Sequence, residues 1–440
     1  MNAYKWFATV VMLALVLVFI SSTTAMAQSN VFLPTITNGT NSVLEETALA
    51  LEDQHSQSVS ASSAQAAPDY IVSNVDDLYA TVNNPANAFS TVHLEPGLYT
   101  LYDNGINEGR LELQEGMFLT GDAAWVLGEQ NELVYRVAGP VIYAGDLQLL
   151  RPPGEAQELN DQYQAGIVVI NGGGADGITV DGGTRPGFDI NSTGTVMNCV
   201  SINHRITDPD VLAAYFGQDF GAYGIVLRPT ADATTVSATV TGNYLSNNRQ
   251  GFGVTPQYYQ TALSRTTLKA SLRNNAFVNN TDVGLAAWII GGSNDSDIDV
   301  TMHNNLISGG IRGIWMASFA GSGTHITVHS LQDILEGSFH GVRIDAQLPG
   351  DKMAYFGRNV TMKSHKDRAY QVIAYPETEV RLHLSHVDAT ASDIEGGNFL
   401  GRSLDGGALR ISGSATAFAQ SNSGLMLTND SNPKFNGPEQ

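Results

Sequence analysis

The sequence predicts an all-β fold, a right-handed, single-stranded parallel β-helix (a solenoid) with a short N-terminal capping helix. Three observations carry that prediction. One pattern recurs as ATVTGNYLSNNRQGFGV, ASLRNNAFVNNTDVGLAA and VTMHNNLISGGIRGIWM, with a looser ITVHSLQDILEGSFHGVRI after them. The copies keep step at roughly 30 residues, through Asn243, Asn275 and Asn305 and through Gly251, Gly284, Gly313 and Gly341, and such a period marks a solenoid. Within each copy apolar residues alternate at period 2 in two or three short runs, so the units are strands and their stacking buries one continuous core.

At the N-terminus, Lys5, an apolar stretch from Trp6 to Ile20 and the small-x-small site Ala25-Met26-Ala27 predict a secretory signal peptide over residues 1–27. The alternative is an uncleaved membrane anchor, for which the stretch is short against a bilayer span of roughly 20 residues. The expected location is therefore secreted, periplasmic or at the cell surface, with no membrane contact after cleavage. Residues 28–68, rich in Ser, Ala, Gln and Thr, read as a flexible linker. Ser73-Asn74-Val75-Asp76 has the form of a capping box, and Val75, Leu78, Tyr79 and Val82 share one helical face. This helix is expected to block the open end of the solenoid, where unpaired strand edges invite association. Thr91 to Leu101 reads as strand, Glu-Pro-Gly turn, strand. Further rungs are expected at Gly166, Gly177, Gly224, Gly407 and Gly424, each followed by alternating apolar residues, so the β-helix spans residues 69–430. The polar segment 431–440, with two prolines, reads as a disordered tail.

The net charge of −21 disfavours nucleic acid and anionic membrane as partners. With only Cys199 present, no intrachain disulfide can form, and stability must come from the stacked core. The chain is expected to act as a monomer.

The helix, the strand-Pro-Gly-x-Tyr segment and the N-x-[LI]…G-[IV]-x-[LI] coils resemble the right-handed parallel β-helix proteins of the pectin-lyase-like superfamily, over roughly residues 70 to 430. The resemblance implies that the repeated Asn stacks in a ladder at a tight turn and tolerates a left-handed backbone. It also implies that the outer face of the Gly-Ile-x-Leu sheet binds polysaccharide. A stacked Asn275 replaced by Ala is expected to cost about 1 kcal/mol.

Counting from each Gly, positions +1 and +3 point inward and +2 and +4 outward. The outward columns then hold Arg228, Thr255, Trp288 and Asp345, and Trp315 and Arg343, as one exposed face. Exposed Trp suits stacking on sugar rings and Arg suits carboxylates. A competing expectation is that loops cover the indoles as a secondary core. The insertion from Ser201 to Phe220 is expected to overhang this face, offering His204, Arg205, Asp208, Asp210, Tyr215 and Asp219, or to form a surface helix from Pro209 to Phe216. Tyr258 and Tyr259 are expected on the opposite wall.

Gly217-Gln-Asp-Phe-Gly resembles the Asp-Phe core of pectin methylesterases, although it precedes its strand. His340-Gly341-Val342-Arg343-Ile344 resembles the His-Gly and Arg-x-Lys elements of polygalacturonases, with Trp and Ala where paired Asp would stand on preceding rungs. The candidate catalytic trio is Asp345, Arg343 and His340, as base, carboxylate clamp and acid. Candidate substrate-binding residues are Trp288, Trp315, Arg228, Thr255, Tyr258 and Asp219. No motif demands a cofactor or a metal. The acidic Ser293 to Asp299 turn could attract Ca²⁺ but lacks the spacing of a defined calcium loop, and reads as a solvated turn. The sequence thus predicts a protein that binds an extracellular polysaccharide, with cleavage by a lyase or hydrolase mechanism left open. The alternative is a non-catalytic surface, adhesion or structural solenoid.

Overall fold

Three all-parallel sheets form the body of the protein, with twelve, ten and eleven strands among the described residues; they are called sheets 1, 2 and 3 here. The computed structural model describes residues 68–137, 139–145, 165–205, 222–258, 261–289, 293–319, 321–391, 399–404, 407–413 and 425–429. The expected signal peptide, linker and tail, the proposed helix from Pro209 to Phe216, and Asp208, Asp210, Tyr215, Asp219 and Tyr259 lie outside these residues. All described residues belong to one unit, Ile36–Gln440. No helix among them is long and apolar enough to cross a membrane.

Each coil lays one strand on each sheet in turn. Thr235–Thr241, Tyr244–Ser246 and Gln250–Val254 are followed by Thr267–Arg273, Ala276–Val278 and Val283–Ile289, and the strands pair in parallel with equivalent residues opposite. The expected inward phase of sheet 3 is present. Ile225, Phe252, Leu285, Ile314 and Val342 align from rung to rung and are buried, as do Leu227, Val254, Ala287, Met316 and Ile344. The recurrent glycines face the same way: a Cβ on Gly313 would lie 2.6 Å from the Gly341 carbonyl oxygen and 3.1 Å from Leu335. A side chain there would collide with the next rung, which explains why Gly recurs.

The Asn residues form a ladder between sheets 1 and 2. Asn243 Nδ2 donates to Asn275 Oδ1 at 3.0 Å, Asn275 Nδ2 to Asn305 Oδ1 at 3.0 Å, and Asn305 Nδ2 to Asp333 Oδ1 at 2.9 Å. One expectation is corrected. The left-handed backbone falls on the preceding residue of each turn, Asn274 (φ 55°) and Asn304 (φ 56°), with Gly242 (φ 66°) and Gln332 (φ 57°) alike, so two neighbouring residues divide the tasks.

The helix Val75–Val82 buries Leu78, Tyr79 and Val82 in the main core, as its apolar spacing predicts. It touches Tyr70–Val72 and Leu111–Glu112, the terminal strands of sheets 1 and 3. Its cap lies one residue later than expected: the Asn74 side chain accepts from the Asp77 amide at 2.9 Å. The additional rungs are also redistributed. Val168–Ile170, Tyr223–Leu227 and Leu425–Asn429 join sheet 3, but Thr179–Asp181 lies in sheet 2 and Ala408–Gly413 in sheet 1. A Gly before an apolar run marks a turn into any sheet, so it cannot tell the sheets apart.

Candidate functional site

The outward side of sheet 3 carries three columns. Because each recurrent Gly points inward together with the residue after it, the residue before it turns outward. The first column therefore holds Arg312, His340 and Arg368 in register. The second holds Ala286, Trp315, Arg343 and Gln371, and the third Trp288, Ala317, Asp345 and Ile373. The structure brings Trp288, Trp315, Arg343, Asp345 and His340 onto one face.

That face is not open, which corrects the expected exposed platform. Trp288 is 4% exposed and Trp315 8%, and they form a second apolar cluster with Tyr223, Val226, Val283, Ala286 and Ala317, against which Phe319 packs. The indole rings meet edge-on at 5.0 Å, and Phe319 lies 5.3 Å from Trp315 and 6.3 Å from Trp288. Trp288 Nε1 donates to the Tyr223 hydroxyl at 3.0 Å, and Trp315 Nε1 donates to Asp345 Oδ2 at 2.8 Å. A Cβ at Gly253 would lie 2.2 Å from the Tyr223 ring, so that glycine leaves room for the tyrosine. Period 2 puts these residues outside the coil, but their apolar area is large enough to pack a layer of its own.

Arg228 and Thr255 are fully buried rather than exposed. Arg228 donates from Nη2 and Nε to the two oxygens of Asp189 at 2.6 and 3.0 Å, and Asp189 also accepts from the Gly166 amide at 3.0 Å. Such a pair needs its remaining hydrogen bonds met to offset desolvation. His204, one of the candidates from the insertion, is likewise interior: its ring nitrogens contact Ser201 Oγ at 2.9 Å and the Gly182 carbonyl at 2.8 Å, and burial pushes its pKa down to about 4. Arg205 donates to Asn247 Oδ1 at 2.9 Å. Tyr258 forms a short antiparallel pair with Thr261 through its backbone.

The polar part of the face is a charged cluster around Trp315. The Arg312 guanidinium sits 3.8 Å from the centre of the Trp315 ring and that of Arg343 5.9 Å, a cation over an aromatic face. Arg312 Nη1 reaches Asp282 Oδ1 at 2.5 Å, while Arg343 Nε donates to Asp345 Oδ2 at 2.6 Å. His340 Nε2 lies 2.9 Å from Asp367 Oδ2, and Arg368 Nε lies 3.6 Å from the same oxygen. Burial lowers the His340 pKa more than its bond to Asp367 raises it, and that bond is the main reason the Asp367 carboxyl titrates low. The favoured state is neutral imidazole donating to carboxylate, which leaves His340 Nδ1 with a lone pair and, in the structure, no hydrogen-bond partner. Burial likewise lowers the pKa of Arg312.

Asp345 thus already answers Arg343 and Trp315, whereas the group that answers His340 is Asp367, which the sequence reasoning missed along with Asp189, Asp282 and Arg312. The signal for Arg312 was present: it precedes Gly313 as His340 precedes Gly341. Asp282 and Asp367 lie in the turns before their strands, where no periodicity points to them. The residues of the Ser293 to Asp299 turn diverge, with Asp297 outward on sheet 1, 3.1 Å from His325. Among the described residues no group of three His, Cys, Asp or Glu converges as metal ligands would.

No protein-family model matches the chain, and no curated protein is similar to it in sequence. Its shape is similar to several solved structures. One is a tailspike protein of the Acinetobacter baumannii bacteriophage Fri1, a capsular polysaccharide depolymerase, at 9% identity and TM-score 0.38, covering 83% of this chain and 62% of that one. Another is DFA-IIIase from Arthrobacter chlorophenolicus, at 11% identity and TM-score 0.40, covering 82% of this chain and 87% of that one. A third is the A-module of a mannuronan C-5 epimerase from Azotobacter vinelandii, at 12% identity and TM-score 0.28, covering 84% of this chain and all of that module. The all-parallel sheets establish the solenoid without these proteins, and no chemistry is carried over from them.

Proposed function

We propose that the protein binds an acidic polysaccharide across the charged cluster at the start of the sheet 3 strands. The observation that carries this reading is the convergence of Arg312 and Arg343 on Trp315, beside the His340–Asp367 pair, in a chain whose net charge is −21. Cations gathered against the overall charge suit carboxylate-bearing sugars, to which an Arg fork can bind bidentately. Trp288 and Trp315 serve as the packed floor that fixes the guanidinium groups. A neutral His340 held by Asp367 is suited to accept a proton once substrate opens its surroundings. With His340 as base, Arg343 as carboxylate clamp and Asp345 holding Arg343, β-elimination is the reaction this arrangement fits best. The expected setting is extracellular, with the protein acting as a monomer.

A screen of uronate-bearing and neutral glycans, followed by assay for unsaturated and reducing ends, tests both levels. Retention of uronate-bearing chains that falls at least tenfold in Arg343→Ala supports the binding site, and failure to retain any glycan overturns it. Binding without new ends favours the second reading, a non-catalytic binding solenoid, which the mutual satisfaction of Arg343 and Asp345 also supports.

A further inference from the structure

The outward face of sheet 1 carries a different set of groups over its last rungs. One of its columns runs in register through Thr239, Ser271, Thr301, His329, Phe356, His383 and Ser412. The first three are small hydroxyl residues; the next three are rings. His329 and Phe356 stack with centroids 4.7 Å apart and planes 8° from parallel, and Phe356 lies 6.3 Å from His383. The flanking columns change one rung after the rings begin. Beside the hydroxyl rungs they set Lys269 and Arg273 against Asp297 and Asp299, whereas the strands Lys352–Arg358, Glu379–Ser385 and Ala408–Gly413 carry Lys352, Arg358, Arg381 and Arg410 against the single carboxylate Glu379. Glu379 is shared by two guanidiniums, Arg381 at 2.8 Å and Arg410 at 3.5 Å, whose side chains are 58% and 48% exposed. Four cations to one anion is the reverse of a chain with 22 basic and 43 acidic residues.

We propose that this ring column and its flanking arginines form a second binding surface, separate from the sheet 3 cluster, for an anionic glycan chain carrying carboxylate or sulfate groups. Stacked rings alone would be explained by cross-strand packing. Packing does not account for the flanking columns turning cationic from the Phe356 rung onward. Sugar rings lie on the Phe356 column, where neighbouring Ala354 leaves space, while Arg381, Arg410 and Arg358 meet the anions. Rungs about 4.8 Å apart repeat these contacts along the axis.

The test is calorimetric titration with a short oligogalacturonate, a sulfated oligosaccharide and a neutral dextran oligosaccharide. Phe356→Thr/Arg381→Glu, with the Thr that the same column uses at position 301, should weaken binding of at least one anionic probe tenfold or more. The same loss should appear in an Arg343→Ala background, which separates this face from sheet 3. Thermal melting checks the fold, and Arg381→Glu alone, at an exposed position, gives a graded loss if the double variant melts early. Loss of the galacturonate alone assigns carboxylate recognition, and loss of the sulfated probe alone assigns sulfate. Failure of wild type to bind either anionic probe, equal binding of the dextran, or isotherms unchanged by the substitutions would each overturn the proposal.

Discussion

Sheets 1 and 3 are laid down by the same coils at the same rung spacing, yet their outward faces are opposites. Outward residues of sheet 3 such as Val226, Ala286, Trp288 and Asp345 are buried, while those of sheet 1 such as Lys269, Asp299 and Arg381 are exposed. Alternation at period 2 fixes which side of the strand a residue leaves from; whether it then meets water depends on how much apolar area collects there. Sheet 3 collects two indoles, a tyrosine and a phenylalanine and becomes a second core that encloses ion pairs. Sheet 1 gathers no comparable apolar cluster on its outer face among the described residues and stays open.

The largest expected effect breaks the enclosed side. Asp189→Ala leaves the buried Arg228 guanidinium without its carboxylate and should cost ~3–5 kcal/mol, seen as a large fall in melting temperature. Asp299→Ala, on the open face, should change stability by less than ~0.5 kcal/mol. Equal effects would mean the two faces differ less in burial than described.

Trp288→Ala should follow closely, at ~3–4 kcal/mol, because it opens a cavity beneath Phe319 and removes the indole bond to the Tyr223 hydroxyl. This replaces the sequence-based expectation that both indoles stand on an exposed face. Tryptophan fluorescence resistant to acrylamide, together with early melting of the variant, would fix the indoles as packing groups.

Asn275→Ala should cost ~2–3 kcal/mol, more than the 1 kcal/mol expected from sequence. Its carboxamide accepts from the Asn243 amide and side chain and donates to Asn305 and the Val240 carbonyl, all buried, so four partners lose a bond. An equilibrium denaturation midpoint indistinguishable from wild type would remove the ladder as a source of stability.

How far the sequence could be read follows from these cases. The repeat gave the solenoid, its inward columns and the Asn ladder, because period and alternation are local consequences of strand stacking. It also put Trp288, Trp315, Arg343 and Asp345 on one face. Whether that face stays open or is covered as a secondary core, the two readings the columns allow, was not legible, since it depends on how Tyr223 and Phe319, distant in sequence, pack around the indoles. Nor were the partners Asp189, Asp282 and Asp367, which become neighbours of Arg228, Arg312 and His340 only through the coil. The outward rings of sheet 1 were visible in the repeats but lie outside the Gly-Ile-x-Leu strands from which the columns were counted.

The smallest effect concerns where the ladder ends. Asp333 takes the place of the next Asn: it accepts from the Asn305 amide and side chain and from Ser330 Oγ, and burial pushes its pKa up to about 6. A carboxyl with a raised folded pKa favours the protonated native state. Its stabilising contribution is complete below the unfolded value near 4 and is lost as pH rises through about 6. Asp333→Asn should therefore melt close to wild type near pH 4 and above it at pH 7 to 8, since the amide extends the ladder without a buried charge. His204, whose folded pKa is depressed to about 4, loses stability in the other direction as pH falls, but both proteins share that change and it cancels in the comparison. Melting curves for the pair from pH 4 to 8 give the answer. A difference that does not grow with pH would mean Asp333 is as well solvated as the carboxylates on the open face of sheet 1.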